Sequence, residues 1–124
     1  MARVLLTDDA KDDIRDLDGS AKARVLSDLK KLETSPADRG QPLGARDMGN
    51  LTGLRKLKIG PRNAYRAVYA TEGDAVAVVI VVGARSQAEC YQLALTRIRL
   101  LADTEERSEV TGLLMSIIGE RKDG

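Results

Sequence analysis

Apolar positions change their period several times along the chain, and each change marks an element. ARVLLT, ending at Thr7, reads as a short strand. From Asp8 the spacing turns helical: Ala10, Ile14 and Leu17 recur at steps of four and three, until the DGS run at Asp18–Ser20 breaks the pattern. Ser20 is placed to cap a second helix, in which Val25, Leu26, Leu29 and Leu32 form one stripe that Pro36 ends. Both stripes can be buried together when the two helices fold back as a hairpin on a sheet.

Residues 35–50 read as loop, punctuated by Pro36, Gly40, Pro42, Gly44 and Gly49. Three strands follow. In LRKLKIG, Leu57 and Ile59 alternate with Lys56 and Lys58, so both lysines leave the same face. After a GPRN turn, NAYRAVYA sets Tyr65, Ala67 and Tyr69 on one face and Arg66 on the other. The run AVAVVIVVG, Ala75 to Gly83, is almost wholly β-branched or alanine and reads as a central strand covered on both faces. Ser86 or Gln87 then opens a helix through Cys90, Leu93, Ala94 and Ile98. A capping-box pattern from Asp103 to Glu106 precedes a last amphipathic helix carrying Val110, Leu113, Leu114, Ile117 and Ile118, with Gly119 as its stop. The order β-α-α-β-β-β-α-α predicts an α+β domain with an antiparallel-rich sheet and helices on one side of it.

At 124 residues and 13.4 kDa the chain has room for one hydrophobic core and no more. It has no apolar run that could cross a bilayer, and MARVLLTDDAKDD turns acidic too early for a signal peptide, so the expected location is the cytoplasm. There is one cysteine, Cys90, and no histidine. These exclude an intramolecular disulfide, a Cys-His zinc site, a histidine-based ribonuclease and a Ser-His-Asp hydrolase. Acid–base chemistry at neutral pH must fall to carboxylates, Lys, Tyr or Arg in altered surroundings.

The formal net charge of +1 conceals a segregation. Residues 1–50 hold nine Lys or Arg against ten Asp or Glu, residues 51–99 eight against three, and residues 100–124 three against six. A basic middle suits a polyanion; its plainer alternative is a solvated edge strand charged against aggregation.

The helical hairpin, GLRKLKIG, YRAVY, VVIVVGAR and ECYQLALTRI occur in an order and spacing that resembles the RelE/ParE superfamily of bacterial type II toxins, over about Val4 to Arg99. The resemblance implies a toxin domain over residues 1–102, with residues 103–124 as an appended amphipathic helix. It also implies one of two activities. RelE-type members are ribosome-dependent ribonucleases that cut messenger RNA in the decoding site, and ParE-type members poison DNA gyrase. The ribonuclease pattern is matched at Lys56, Lys58, Arg66, Arg85 and Tyr91, which favours that branch. By resemblance Lys58 is the general base and Arg85 stabilises or protonates the leaving group. Lys56 and Arg66 then hold the phosphate, and Tyr91 stacks on or orients a nucleotide. The residues alone leave Tyr91 open to either a surface or a packed place. Arg55 and Arg62 read as general phosphate or ribosomal RNA contacts, and Arg97 and Arg99 as partners of a helix dipole.

The implied partners are a cognate antitoxin, in a hetero-oligomer, together with the ribosome and mRNA; no cofactor, metal or membrane is called for. The stripe Val110 to Ile118 is expected to pack back on the sheet, the alternatives being a helix that antitoxin displaces or a dimer contact. Its acidic approach, Asp103, Glu105, Glu106 and Glu109, could lie across the basic site. The other functional class is a non-nuclease of the same fold that inhibits gyrase or only binds antitoxin.

Overall fold

The computed structural model describes residues 1–42, 54–84, 86–103 and 108–123. Its elements are β1 (Arg3–Leu6), α1 (Asp8–Arg15), α2 (Gly19–Lys30), β2 (Gln41–Pro42), β3 (Leu54–Ile59), β4 (Tyr65–Glu72), β5 (Val76–Gly83), α3 (Gln87–Ala102) and α4 (Glu109–Asp123). The strands form one sheet in the order β1-β5-β4-β3-β2, with β1 parallel to β5 and every other pair antiparallel. This is an α+β fold.

Short polar side chains set the helix starts. Thr7 accepts the Ala10 N–H at 3.1 Å, and Ser86 and Glu89 close a reciprocal capping box on α3. Asp18, not Ser20, caps α2: its carboxylate accepts the Ala21 N–H at 2.9 Å and the Ser20 hydroxyl at 3.1 Å. An ionised carboxylate satisfies the orphan amides better than a hydroxyl, and these bonds hold the Asp18 pKa below its ordinary value. The start of α4 also moves, to Ser108, whose hydroxyl accepts the Thr111 N–H at 3.1 Å. Asp103 instead ends α3, and Glu106 lies outside the described residues. Nor does Gly119 stop α4, which runs on to Asp123.

The helices are not confined to one side. Ala10 and Ile14 of α1 and Val25 and Leu29 of α2 pack on Ile59, Ala67, Tyr69, Ala77, Val79 and Val82. On the opposite face Cys90, Tyr91 and Ala94 of α3 and Leu114 and Ile117 of α4 pack on Leu54, Val68, Ala70, Val78, Ile80 and Val81. Every residue of β5 is buried, because both of its faces are covered and both flanks are paired over much of its length. Strict alternation fails once: between Val68 and Tyr69 the β4–β5 register slips past Ile80, so Ile80 and Val81 face the same way.

Because β1 ends at Leu6, β5 runs on past Val79 with its outer edge uncovered by β1. Arg97 of α3 and Asp13 of α1 fill that place. The Arg97 guanidinium donates to the Ile80 carbonyl at 2.9 Å and to both Asp13 oxygens at 2.7 and 2.9 Å, while Asp13 accepts the Val82 N–H at 2.9 Å. Both side chains are 14 % exposed. One bidentate pair thus caps two backbone groups and ties the two helical layers together around the sheet edge. Arg97 is therefore a tertiary clasp rather than a dipole partner.

The β3–β4 turn holds a local oddity. Gly60 has φ 82, and the next two positive angles belong to ordinary L-residues, Arg62 (φ 59) and Asn63 (φ 54). Asn tolerates this region, whereas for Arg it costs roughly 1–2 kcal/mol.

Candidate functional site

Pleating of β3 separates its side chains by face: Leu57 and Ile59 point toward α1 and α2, and Leu54, Lys56 and Lys58 share the α3/α4 side. On β4 the same rule sends Tyr65, Ala67 and Tyr69 to the α1/α2 side and Arg66, Val68 and Ala70 to the other. Lys58 is directly opposite Arg66, and Lys56 opposite Val68. Facing Cα atoms lie about 5 Å apart, and Lys56 is about 7 Å along the strand from Lys58, so three cations gather within the footprint of one phosphodiester.

Lys56 and Arg66 are half-buried and Lys58 is exposed. Burial, with the charges of Lys58 and Arg66 adding to it, pulls the Lys56 ammonium below the ordinary lysine pKa. Fixed cations of this kind stabilise a dianionic phosphorane, and the neutral fraction of a depressed lysine can accept a proton. Among the described residues no cluster of three or more His, Cys, Asp or Glu could hold a metal ion, and no helix is long and apolar enough to cross a membrane.

The remaining sequence candidates fare differently. Tyr91 is fully buried in the core between α3 and the sheet, so of its two readings the structure takes the packed one, and burial raises its pKa. Arg85 lies outside the described residues; its neighbour Gly83, the last residue of β5, pairs with Arg66. Arg55 is not brought to the lysine face. It donates from Nε to the Arg39 carbonyl at 2.8 Å and from Nη2 to the Gly40 carbonyl at 3.3 Å. Arg62 is exposed at the tip of the β3–β4 turn. Of the acidic approach to α4, Glu109 pairs with Arg3 at 2.9 Å on the surface, and Glu105 and Glu106 lie outside the described residues.

A brace behind Lys56 escaped the sequence reading. The Tyr69 hydroxyl sits 2.6 Å from the Arg39 carbonyl and 3.0 Å from that of Pro36. Gly40 has φ +64, and a Cβ there would lie 2.2 Å from the Lys56 carbonyl oxygen. Residue 40 must therefore be glycine for Gln41 to pair with Lys56. The only sequence signal was a glycine within a run of loop punctuation.

The family described as the ParE toxin of the type II toxin-antitoxin system parDE matches residues 4–89. The fold is similar to that of an arginine-to-alanine double mutant of the E. coli toxin RelE in the free state, at 26 % identity and TM-score 0.62, covering 79 % of this chain and 99 % of that one. The isolated E. coli RelE toxin in another crystal form shares the fold at 24 % identity and TM-score 0.53, with coverage of 79 % and 99 %. No curated protein is similar enough in sequence to add to these. With the family match spanning well over half its length, the chain belongs to the ParE toxin family of type II toxin-antitoxin systems, within the RelE/ParE superfamily.

Proposed function

We propose that this toxin is a ribosome-dependent mRNA endoribonuclease working without a metal ion. The observation that carries the reading is the grouping of Lys56, Lys58 and Arg66 on one sheet face, with Lys58 and Arg66 in direct register. In the reaction the ribose 2′-oxygen attacks the adjacent phosphorus and gives up its proton, and the bond from phosphorus to the 5′-oxygen breaks. The products carry a 2′,3′-cyclic phosphate and a 5′-hydroxyl. The resemblance assigns the proton to Lys58, which is exposed, whereas Lys56 is half-buried behind it on the same face, and that burial lowers its pKa. We therefore assign proton acceptance to Lys56, with Lys58 and Arg66 opposing the charge on the phosphorane. Arg85, by resemblance, stabilises the departing 5′-oxygen; its high pKa makes electrostatic help the better description. Tyr91, buried in the free protein, supports α3 beneath the site.

As a type II toxin the protein has a cognate antitoxin as partner. The ribosome and mRNA are partners of the nuclease reading only. A second reading, gyrase inhibition, is favoured by one observation: the matching family is that of ParE. Primer extension on programmed ribosomes separates the two. Cuts in the A-site codon that vanish in Lys56→Ala and Lys58→Ala are the expected result. Intact mRNA, together with blocked supercoiling by gyrase, gives the function to the second reading.

A further inference from the structure

The β3–β4 turn carries an arginine whose position the fold does not explain. Arg62 adopts φ 59 and ψ 22, a left-handed conformation in which glycine would be relaxed and arginine is strained. The turn closes through backbone bonds alone, from Asn63 N–H to the Gly60 carbonyl at 3.1 Å and from Ala64 N–H to the Pro61 carbonyl at 3.3 Å. Neither bond needs the Arg62 side chain. That side chain is exposed and makes no hydrogen bond or ion pair with any described residue. Most other arginines are engaged: Arg3, Arg15, Arg24 and Arg97 pair with carboxylates, and Arg39 and Arg55 donate to backbone carbonyls. Among the described arginines Arg99 also makes no such bond, and it sits in the last turn of α3, where the helix dipole suits it.

Resting on the nuclease reading, we propose that Arg62 is a substrate-positioning residue that grips a backbone phosphate of the RNA flanking the scissile one. Its place supports that partner. The turn joins the two strands that present Lys58 and Arg66, and by the rise of a strand its tip lies about 10 Å past that pair. A single strand laid with one phosphate at Lys58 and Arg66 and running along the hairpin meets Arg62 at a neighbouring phosphate. Guanidinium suits a phosphate through its fork of donors, and such a contact carries affinity without base preference.

The test uses the full chain and a fluorescent single-stranded 2′-O-methyl RNA that cannot be cut, with anisotropy read across a salt series. Arg62→Ala and Arg62→Gly weaken binding about 3- to 10-fold and reduce the slope of log affinity against log salt by about 0.7, the share of one phosphate on a single strand. Arg62→Lys stays within about 2-fold of wild type. Arg62→Gly also melts about 2–4 °C higher than wild type, because the strain is relieved. Unchanged binding and salt slope in Arg62→Gly, in a protein whose wild type binds RNA and cuts mRNA on ribosomes, overturns this inference and leaves the nuclease reading standing. A lower melting temperature in Arg62→Gly also overturns it, since the side chain would then be holding the fold. A wild type that neither binds this RNA nor cuts mRNA removes both.

Discussion

Arg97 and Lys56 are cations on one sheet, and their surroundings push them in opposite directions. Arg97 stands at the edge of β5 against Asp13, whose hydrogen bonds lead the causes that raise its pKa. Lys56 stands on β3 with Lys58 and Arg66 for neighbours, and burial and those charges lower its pKa. The first site spends its charge on the fold, closing backbone groups that would otherwise be orphaned. The second keeps its charges concentrated, a state that favours the fold less and suits an incoming anion more. Stability and chemistry are thus divided between two regions of the sheet, and substitutions in each should move different measurements.

The largest expected effect is on catalysis. Lys56→Ala lowers single-turnover cleavage on programmed ribosomes by about 10²- to 10⁴-fold, the range of a lost general base. The pH profile sharpens the assignment. The neutral amine is the reactive form, so the wild-type rate climbs with pH and levels off below the ordinary lysine range. Arg66→Gln removes one of the charges that depress Lys56, so its plateau moves to higher pH. A plateau that stays put in Arg66→Gln takes proton acceptance away from Lys56.

Asp13→Asn should do the reverse. It leaves the Arg97 guanidinium facing a neutral amide in a site only 14 % exposed, at a cost of about 3 kcal/mol in urea unfolding. The pH profile of whatever folded protein remains should match wild type. A shifted profile would mean that the two regions are coupled and that the division drawn above is wrong.

Why one region was legible in the sequence and the other was not follows from the range of the signals. Alternation in LRKLKI and YRAVY is local: it put Lys56 and Lys58 on one face of their strand and Arg66 opposite Tyr65 and Tyr69 on its own, and the pairing of the two strands brings the three together. The clasp joins residues 84 apart on two helices, and no spacing rule connects Asp13 to Arg97. The helical stripes showed that each helix buries a face but not which side of the sheet receives it, so the two-sided layering was missed. The register slip at Ile80 falls in VAVVIVV, where every residue is apolar and no polar position marks a change of face. Tyr91 shows the same limit, since its helical spacing permitted two environments and only packing chose between them.

Gly40→Ala probes the support behind Lys56. The new Cβ would collide with the Lys56 carbonyl, and the φ of +64 is strained for alanine, so β2 has to pull away from β3. We expect a loss of about 2 kcal/mol in urea unfolding, from the strain and the broken pairing. We also expect faster amide exchange at Lys56, where Gln41 pairs. Unchanged exchange would show that β2 contributes nothing to the placement of the lysine.

The smallest expected effect tests a third way of surrounding a cation, with carbonyl oxygens and a phenol in place of a carboxylate. Arg55 points away from the lysine face and shares the Arg39 carbonyl with the Tyr69 hydroxyl. Tyr69→Phe removes one hydrogen bond and should cost about 1 kcal/mol near neutral pH. Its pH dependence is more telling than its size. Burial raises the Tyr69 pKa above 10.0, an effect only partly opposed by the Arg55 charge. The folded state therefore keeps a proton that the unfolded state releases. Stability from this group is complete below the unfolded value of about 10 and is lost as pH rises through the higher folded value. Urea midpoints taken from pH 8 to pH 11 should fall more steeply for wild type than for Tyr69→Phe above pH 10. Equal slopes would mean that Arg55 neutralises the phenolate as well as burial disfavours it. The brace would then resemble the Asp13–Arg97 clasp more closely than the cation cluster on the other face of the same strands.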